Sequence, residues 1–217
     1  MLEALALLGS GFLLGMLHAG DPDHVVAVTT IVSDQRSVRR AGLIGALWGV
    51  GHTVPLLLLG GAIVALRVVV PPRLALALEF GVALMLVALG VANIVRHRHA
   101  HAAPPAAPAS RMRPLVVGFV HGLAGTAAVA LYVLTRVESP LLAVGALLLF
   151  GLGTVAGMML ITALIGAPAS YMSSRFPGAA PYLRVTSGVV SVGVGLLLAH
   201  RIGIEDGLFV GAGAFGE

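Results

Sequence analysis

Six apolar stretches, roughly 2–32, 42–66, 74–96, 114–135, 141–166 and 182–200, occupy most of this 217-residue chain. Each is long enough to cross a bilayer as a helix, which takes about 20 mostly apolar residues. Charged residues make up 10% of the sequence and mean hydropathy is +1.02, whereas a soluble domain carries about a quarter charged residues. Little chain remains for a soluble domain. The sequence therefore predicts an all-α integral membrane protein with six transmembrane helices.

The first residues, "MLEALALLGSGFLLGM", contain Glu3 and no Arg or Lys, whereas a cleavable signal opens on a basic region and ends at a small-residue cleavage site. The first stretch is expected to stay as a helix. Cysteine is absent, which excludes thiolate metal sites, disulfides and redox relays. Any metal chemistry must use nitrogen and oxygen.

The net charge of +4 comes with thirteen arginines at the ends of the apolar stretches, a distribution that sets membrane topology and gives no reason to expect nucleic acid. Nine fall on one side: Arg36, Arg39, Arg40, Arg96, Arg98, Arg111, Arg113, Arg175 and Arg184. Four fall on the other: Arg67, Arg73, Arg136 and Arg201. The positive-inside rule then puts the loops after helices 1, 3 and 5 in the cytoplasm and both termini outside the cytoplasmic membrane.

The segment "HRHAHAAPPAAPASRMR", 97–113, is a polar, proline-rich linker at the middle of the chain. It separates a first three-helix unit, 1–96, from a second, 114–202, which a short extracytoplasmic tail, 203–217, follows. "GMLHAG" (15–20) matches "GFVHGL" (118–123), and "WGVGHTV" (48–54) matches "FGLGTV" (150–155) with one residue missing. Two matches at nearly the same spacing indicate an internal repeat. Three helices per repeat is an odd number, so the second copy enters from the opposite side, giving two inverted three-helix repeats. That arrangement is common in secondary transporters, whose substrate site lies near the midplane on discontinuous helices.

One short stretch departs from the apolar pattern: "HAGDPDH", 18–24. An aspartate at the centre of a spanning helix costs about 2.5–3.5 kcal/mol on insertion scales, and a bound cation would offset that cost. At 100° per residue His18, Asp21 and His24 share an arc of about 120° while Asp23 falls off it. Pro22 cannot donate to the carbonyl of residue 18, so a break or kink is expected, with that carbonyl freed as a further oxygen. Imidazole with carboxylate suits nickel, cobalt or zinc better than calcium or magnesium. The alternative is that "GDPD" is a surface turn with the histidines at the membrane interface.

His18, Asp23 and His24 form His-x4-Asp-His, which resembles the signature of the nickel/cobalt transporter superfamily, and "GHT" at 51–53 is similar to its second motif, Gly-His-Ser/Thr. "VHGLAGTAA" (120–128) resembles the His-Gly-x-x-Gly-Ser/Thr-Ala-Ala pattern of a small branch described as urease accessory nickel permeases. Larger members carry the first signature in their second helix, so this chain resembles a shortened version. The resemblance implies that His18, Asp23 and His24 are metal ligands or lie next to the metal, with Asp21 as a helper. It favours Asp23 where the helical wheel favoured Asp21.

His52, in a Gly-x-Gly-His context, and His121, the repeat partner of His18, are further metal candidates; packing and headgroup-facing roles are the alternatives. Thr53, Thr126 and Thr154 could offer oxygens, although intrahelical bonding is commoner for threonine. Glu79 is explained by a nearby helix N-terminus and left out of the site, Asn93 is ambiguous, and His200 is read as interfacial. His97, His99 and His101 form a candidate auxiliary metal loop, since histidine tracts can bind metal, although Arg96 and Arg98 would repel a dication.

The expected function is a permease for Ni2+, with Co2+ as a second candidate, taking up metal for urease or hydrogenase maturation. The metal is substrate, and no cofactor is expected. Efflux for metal resistance and a non-transporting accessory subunit are the alternatives. An enzyme is not expected: the Gly-x-Ser-Gly of rhomboid-type proteases is missing, as is His-Glu-x-x-His. Expected partners are the divalent ion and the lipid bilayer, with a second copy of the chain or a cytoplasmic metallochaperone as further candidates.

Overall fold

The computed structural model describes residues 2–33, 35, 37–66, 68, 70–99, 112–137, 139–176 and 178–209. These residues form α-helices and no strand. In chain order they are α1 (Leu2–His18), α2 (Pro22–Val32), α3 (Val38–Pro55), α4 (Gly61–Leu66), α5 (Pro72–His99), α6 (Met112–Arg136), α7 (Pro140–Arg175) and α8 (Ala179–His200). A π-helical turn, Leu56–Gly60, joins α3 to α4, and a second, Arg201–Glu205, extends α8.

Four continuous helical segments are long and apolar enough to cross a membrane, namely Val38–Leu66, Pro72–Val95, Leu141–Arg175 and Ala179–Glu205. Large apolar side chains such as Leu17, Leu58, Leu141 and Leu197 point outward around the bundle, a surface that suits lipid and not water. Together these features define a helical membrane protein.

The first apolar stretch is two helices instead of one. Pro22 occupies the first position of α2, where its missing N–H costs nothing, and it holds the preceding Asp21 in an extended conformation at φ −59° and ψ 141°. The intervening backbone closes on itself: Gly20 N–H donates to the Leu17 carbonyl at 2.8 Å and Asp21 N–H to the His18 carbonyl at 3.1 Å. The expected free carbonyl at His18 is therefore already engaged. The turn also invalidates a single wheel through residues 18–24, because α1 packs along α7 while α2 packs among α5, α7 and α8.

Other boundaries shift for local reasons. α5 continues through His97 to His99, since nothing between Arg96 and the prolines at 104 and 105 breaks a helix. α6 begins at Met112 with Pro114 in its first turn, where the ring is tolerated. The side chains of His97 and His99, and all of His101, lie outside the described residues.

The principal helix contacts are α1 with α7, α6 with α3, α3 with α7, and α5 with α8. Glycines bring the backbones together, as in tightly packed membrane helices. Gly15 of α1 lies against the backbone of Phe150 and Thr154 on α7, and Gly118 of α6 against that of Trp48 and His52 on α3. Reciprocally, Gly153 abuts Phe12, and Gly51 abuts Leu115. Gly49 meets Val155 while Gly151 meets Thr53. One constant shift relates the contacting residues of α1 to those of α6, and another those of α3 to those of α7, throughout these contacts.

Away from these seams, Asn93 of α5 ties down the C-terminal end of α2, donating to the Thr30 carbonyl at 2.7 Å and to Ser33 Oγ at 3.4 Å. Such bonds inside membrane bundles average about 0.6 kcal/mol and reach about 1.7 kcal/mol. Asn93→Ala is expected to destabilise the fold by that order, read as a lower thermal unfolding midpoint in detergent, while leaving metal binding at wild-type affinity. An unchanged midpoint would show that the amide contributes nothing.

Candidate metal centre

The break between α1 and α2 brings the "HAGDPDH" side chains to the centre of the bundle, where α3 and α6 meet them. His18 is the last residue of α1, Asp23 and His24 lie in the first turn of α2, His52 is near the end of α3 and His121 is in the third turn of α6. All of these, with Asp21, line one cavity of about 210 Å³, together with Glu79, Val82, Ala124, Gly125, Leu198 and Ile202. Its walls thus hold all six histidine and aspartate candidates that fall within the described residues.

Ring centroids of His24 lie 4.6 Å from His18, 5.1 Å from His52 and 4.1 Å from His121. His24 is thus the hub of four imidazoles. One ligand atom each from His18, His24 and His52 lies within 4.8 Å of the others, and the same holds for Asp23, His24 and His121. These are two overlapping groups that share His24.

The carboxylates decide which ring nitrogens are free. A carboxylate only accepts, so each imidazole nitrogen facing one carries the hydrogen. His18 Nδ1 donates to Asp21 Oδ2 at 2.7 Å, His24 Nδ1 to Asp23 Oδ1 at 3.0 Å and His121 Nε2 to Asp23 Oδ2 at 2.9 Å. In the neutral rings the opposite nitrogens, His18 Nε2, His24 Nε2 and His121 Nδ1, hold lone pairs. His24 Nε2, His121 Nδ1 and His52 Nδ1 are buried without a hydrogen-bond partner. His18 Nε2 faces His52 Nε2 at 3.2 Å. A carboxylate on the far nitrogen is the arrangement that fixes the tautomer and orientation of a metal-binding histidine and raises its basicity. Asp21 and Asp23 therefore do the same work, Asp21 on one ring and Asp23 on two.

Exposure falls along the cavity. The Asp21 side chain is 50% exposed, Asp23 30%, His18 18%, and His24 and His121 3% each. Four imidazoles gathered around two partly buried carboxylates leave negative charge that a cation in the cavity would offset.

Two aromatic neighbours of the imidazoles escaped the sequence reading. The Trp48 ring lies tilted 5.6 Å from His24 and edge-on 5.8 Å from His121, and Phe150 lies 5.4 Å from His18. The signal was present, because the matched stretches "WGVGHTV" and "FGLGTV" both open on these aromatics. The indole Nε1 of Trp48 is also buried without a partner, yet it is a donor and cannot ligate a cation. Glu79, discounted from sequence, lines the cavity; an ionisable residue inside an apolar helix was the available signal. Thr126 and Thr154 donate to the carbonyls of Gly122 and Phe150, four residues back in their own helices, while Thr53 donates across to the Gly151 carbonyl at 3.2 Å. His200 is exposed beside Glu205 and stands apart from the site.

Fold and site together define a helical membrane protein with a buried imidazole and carboxylate cluster inside its bundle. The chain is 33% identical over 228 residues to urease accessory protein UreH of Bacillus sp. (strain TB-90), a match covering 95% of this chain and 96% of that protein. It belongs to the UreH urease accessory family. It is also similar to the chloroplast proteins FOR GROWTH AND FERTILITY 1 and 2 of Arabidopsis thaliana, at 28% and 25% identity over 86% and 90% of this chain and 57% and 56% of theirs. No family model and no solved structure matches the chain.

Proposed function

We propose that this protein is a permease for Ni2+, with Co2+ as the second candidate ion, that takes up metal across the cytoplasmic membrane for urease or hydrogenase maturation. The observation that carries this reading is the cavity lined by His18, His24, His52 and His121, with Asp21 and Asp23 holding three of the rings. Imidazole is a good ligand for nickel. The relative named as a urease accessory protein supports a role in supplying that enzyme. Efflux through the same residues is the second reading, and a non-transporting accessory subunit the third.

In this reading the helices make six crossings, α1 with α2 counting as the first and α3 with α4 as the second, and the two halves are inverted repeats. The matched glycine contacts support that relation: exchanging α1 with α6 and α3 with α7 maps each contact onto another. The arginine distribution then puts both termini, the start of α5 and the end of α8 on the extracytoplasmic side. Glu79 and Val82 near the start of α5, with Leu198 and Ile202 near the end of α8, line the cavity, so the ion approaches from outside. It exchanges water for His18, His24 and His52, and His121 is coupled through Asp23. A membrane potential supplies about 2.3 kcal/mol per charge per 100 mV, or roughly 4.6 kcal/mol for a dication. This sustains a gradient of a few thousandfold at about 1.4 kcal/mol per decade.

The test is radioactive nickel flux into proteoliposomes under an inside-negative potential. Wild type is expected to accumulate nickel, His18→Ala to match empty liposomes, and a variant with His97, His99 and His101 replaced together to retain flux. Folded wild-type protein that moves no nickel under either sign of potential would rule out an autonomous permease and favour an accessory role.

A further inference from the structure

One cavity-lining acid has no part in the imidazole cluster. Asp23 spends both oxygens on His24 and His121, and Asp21 bonds His18. Glu79, in the second turn of α5, lines the same cavity, and no hydrogen bond or ion pair engages it among the described residues. Among the described residues no arginine lines the cavity itself. Beyond Glu79 the walls carry buried nitrogens that lack partners, on His24 at 2% exposure and His52 at 1%. The cavity thus pairs a carboxylate that has no hydrogen-bond partner among the described residues and feels Arg201 on one hand and Asp206 and Asp23 on the other with deeper ring nitrogens that lack partners.

We infer that Glu79 is a cation-contacting residue of the pathway, a carboxylate that captures the hydrated divalent ion ahead of the histidines. This rests on the permease reading and extends it to α5, a helix that contributes nothing to the imidazole cluster. The chemistry divides along the cavity. A hard carboxylate tolerates an ion that keeps its water and releases it readily, whereas the imidazoles suit a transition metal that has shed water. Glu79 therefore acts on capture, and the histidines hold the dehydrated ion. A capture carboxylate works through Coulomb attraction in a water-filled space, so its contribution weakens with ionic strength.

The experiment compares initial nickel flux in proteoliposomes of wild type, Glu79→Gln, Glu79→Asp and Glu205→Gln, each at low and high ionic strength. Glu205 is an acid at the same end of the bundle that does not line the cavity. Glu79→Gln is expected to raise half-saturating nickel about tenfold, a difference of about 1.4 kcal/mol, with maximal flux within about twofold. The gap from wild type should narrow at high salt. Glu79→Asp should recover most of the loss, and Glu205→Gln should match wild type. Wild-type flux with Glu79→Gln indistinguishable from it would overturn the inference and leave the permease reading standing. So would a loss of maximal flux at unchanged half-saturation, because that marks a structural role. A wild type that neither binds nor moves nickel overturns both.

Discussion

His24→Ala is expected to abolish nickel binding and transport, with flux at least about 100-fold below wild type. His24 is the hub of the imidazole cluster, and both candidate ligand groups include it. Losing it leaves each group one member short at once. Its Nδ1 is occupied by Asp23 at 3.0 Å, and its Nε2 is buried with no partner, so Nε2 is the ligand atom that the substitution removes. Asp23→Asn provides the graded comparison. It keeps the ligands but weakens the hold on two rings, and removing such orienting groups costs about 10–100-fold in metal affinity or activity. The measurement is a nickel-binding isotherm on purified protein alongside liposome flux, with circular dichroism to confirm that both variants remain helical. Wild-type flux from folded His24→Ala would exclude the cluster as the ion site.

The location of this cluster was legible because "HAGDPDH" violates the composition around it: two aspartates and two histidines in an apolar stretch need a compensating partner, and few partners are available. Pro22 made the helix break legible as well. What the break does to its neighbours was not. The helical wheel favoured Asp21 over Asp23, whereas the chain turns at Ala19–Asp21 and lets both carboxylates reach imidazoles, Asp21 behind His18 and Asp23 behind His24 and His121. The His18 carbonyl was expected to be free because Pro22 has no N–H, but Asp21 N–H takes its place. A periodicity argument holds only while the helix is regular, and the site is where it is not. Glu79 failed for a different reason. A helix N-terminus explains an acid locally, and only the packing of α5 and α8 beside the break reveals what that acid faces.

Gly118→Val is expected to prevent the bundle from assembling, with loss of the monodisperse folded species in detergent. A Cβ at this position would meet the Trp48 carbonyl and ring, with the His52 backbone nitrogen 3.0 Å away. Most of these atoms are backbone and cannot turn aside, so α3 and α6 would have to separate along the seam that holds His52 beside His121. Overpacking where side chains can yield costs about 1–3 kcal/mol; here the obstacle is a neighbouring helix, so the cost lies at or above the top of that range. Gly15→Val meets the equivalent backbone at Phe150 and Thr154 and should destabilise to a similar degree. The two differ in function. At an intermediate size, Gly118→Ala should weaken nickel binding more than Gly15→Ala, because it displaces His52 and Trp48, whereas the other displaces Phe150 and Thr154. Gly193→Ala is the control, since nothing lies within 4 Å of its added Cβ and alanine favours the helix by about 1 kcal/mol. Thermal midpoints read by size-exclusion recovery rank the five variants. A Gly118→Val protein that melts with wild type would mean that the α3–α6 seam tolerates separation, and the contact could not then be what holds His52 in the cluster.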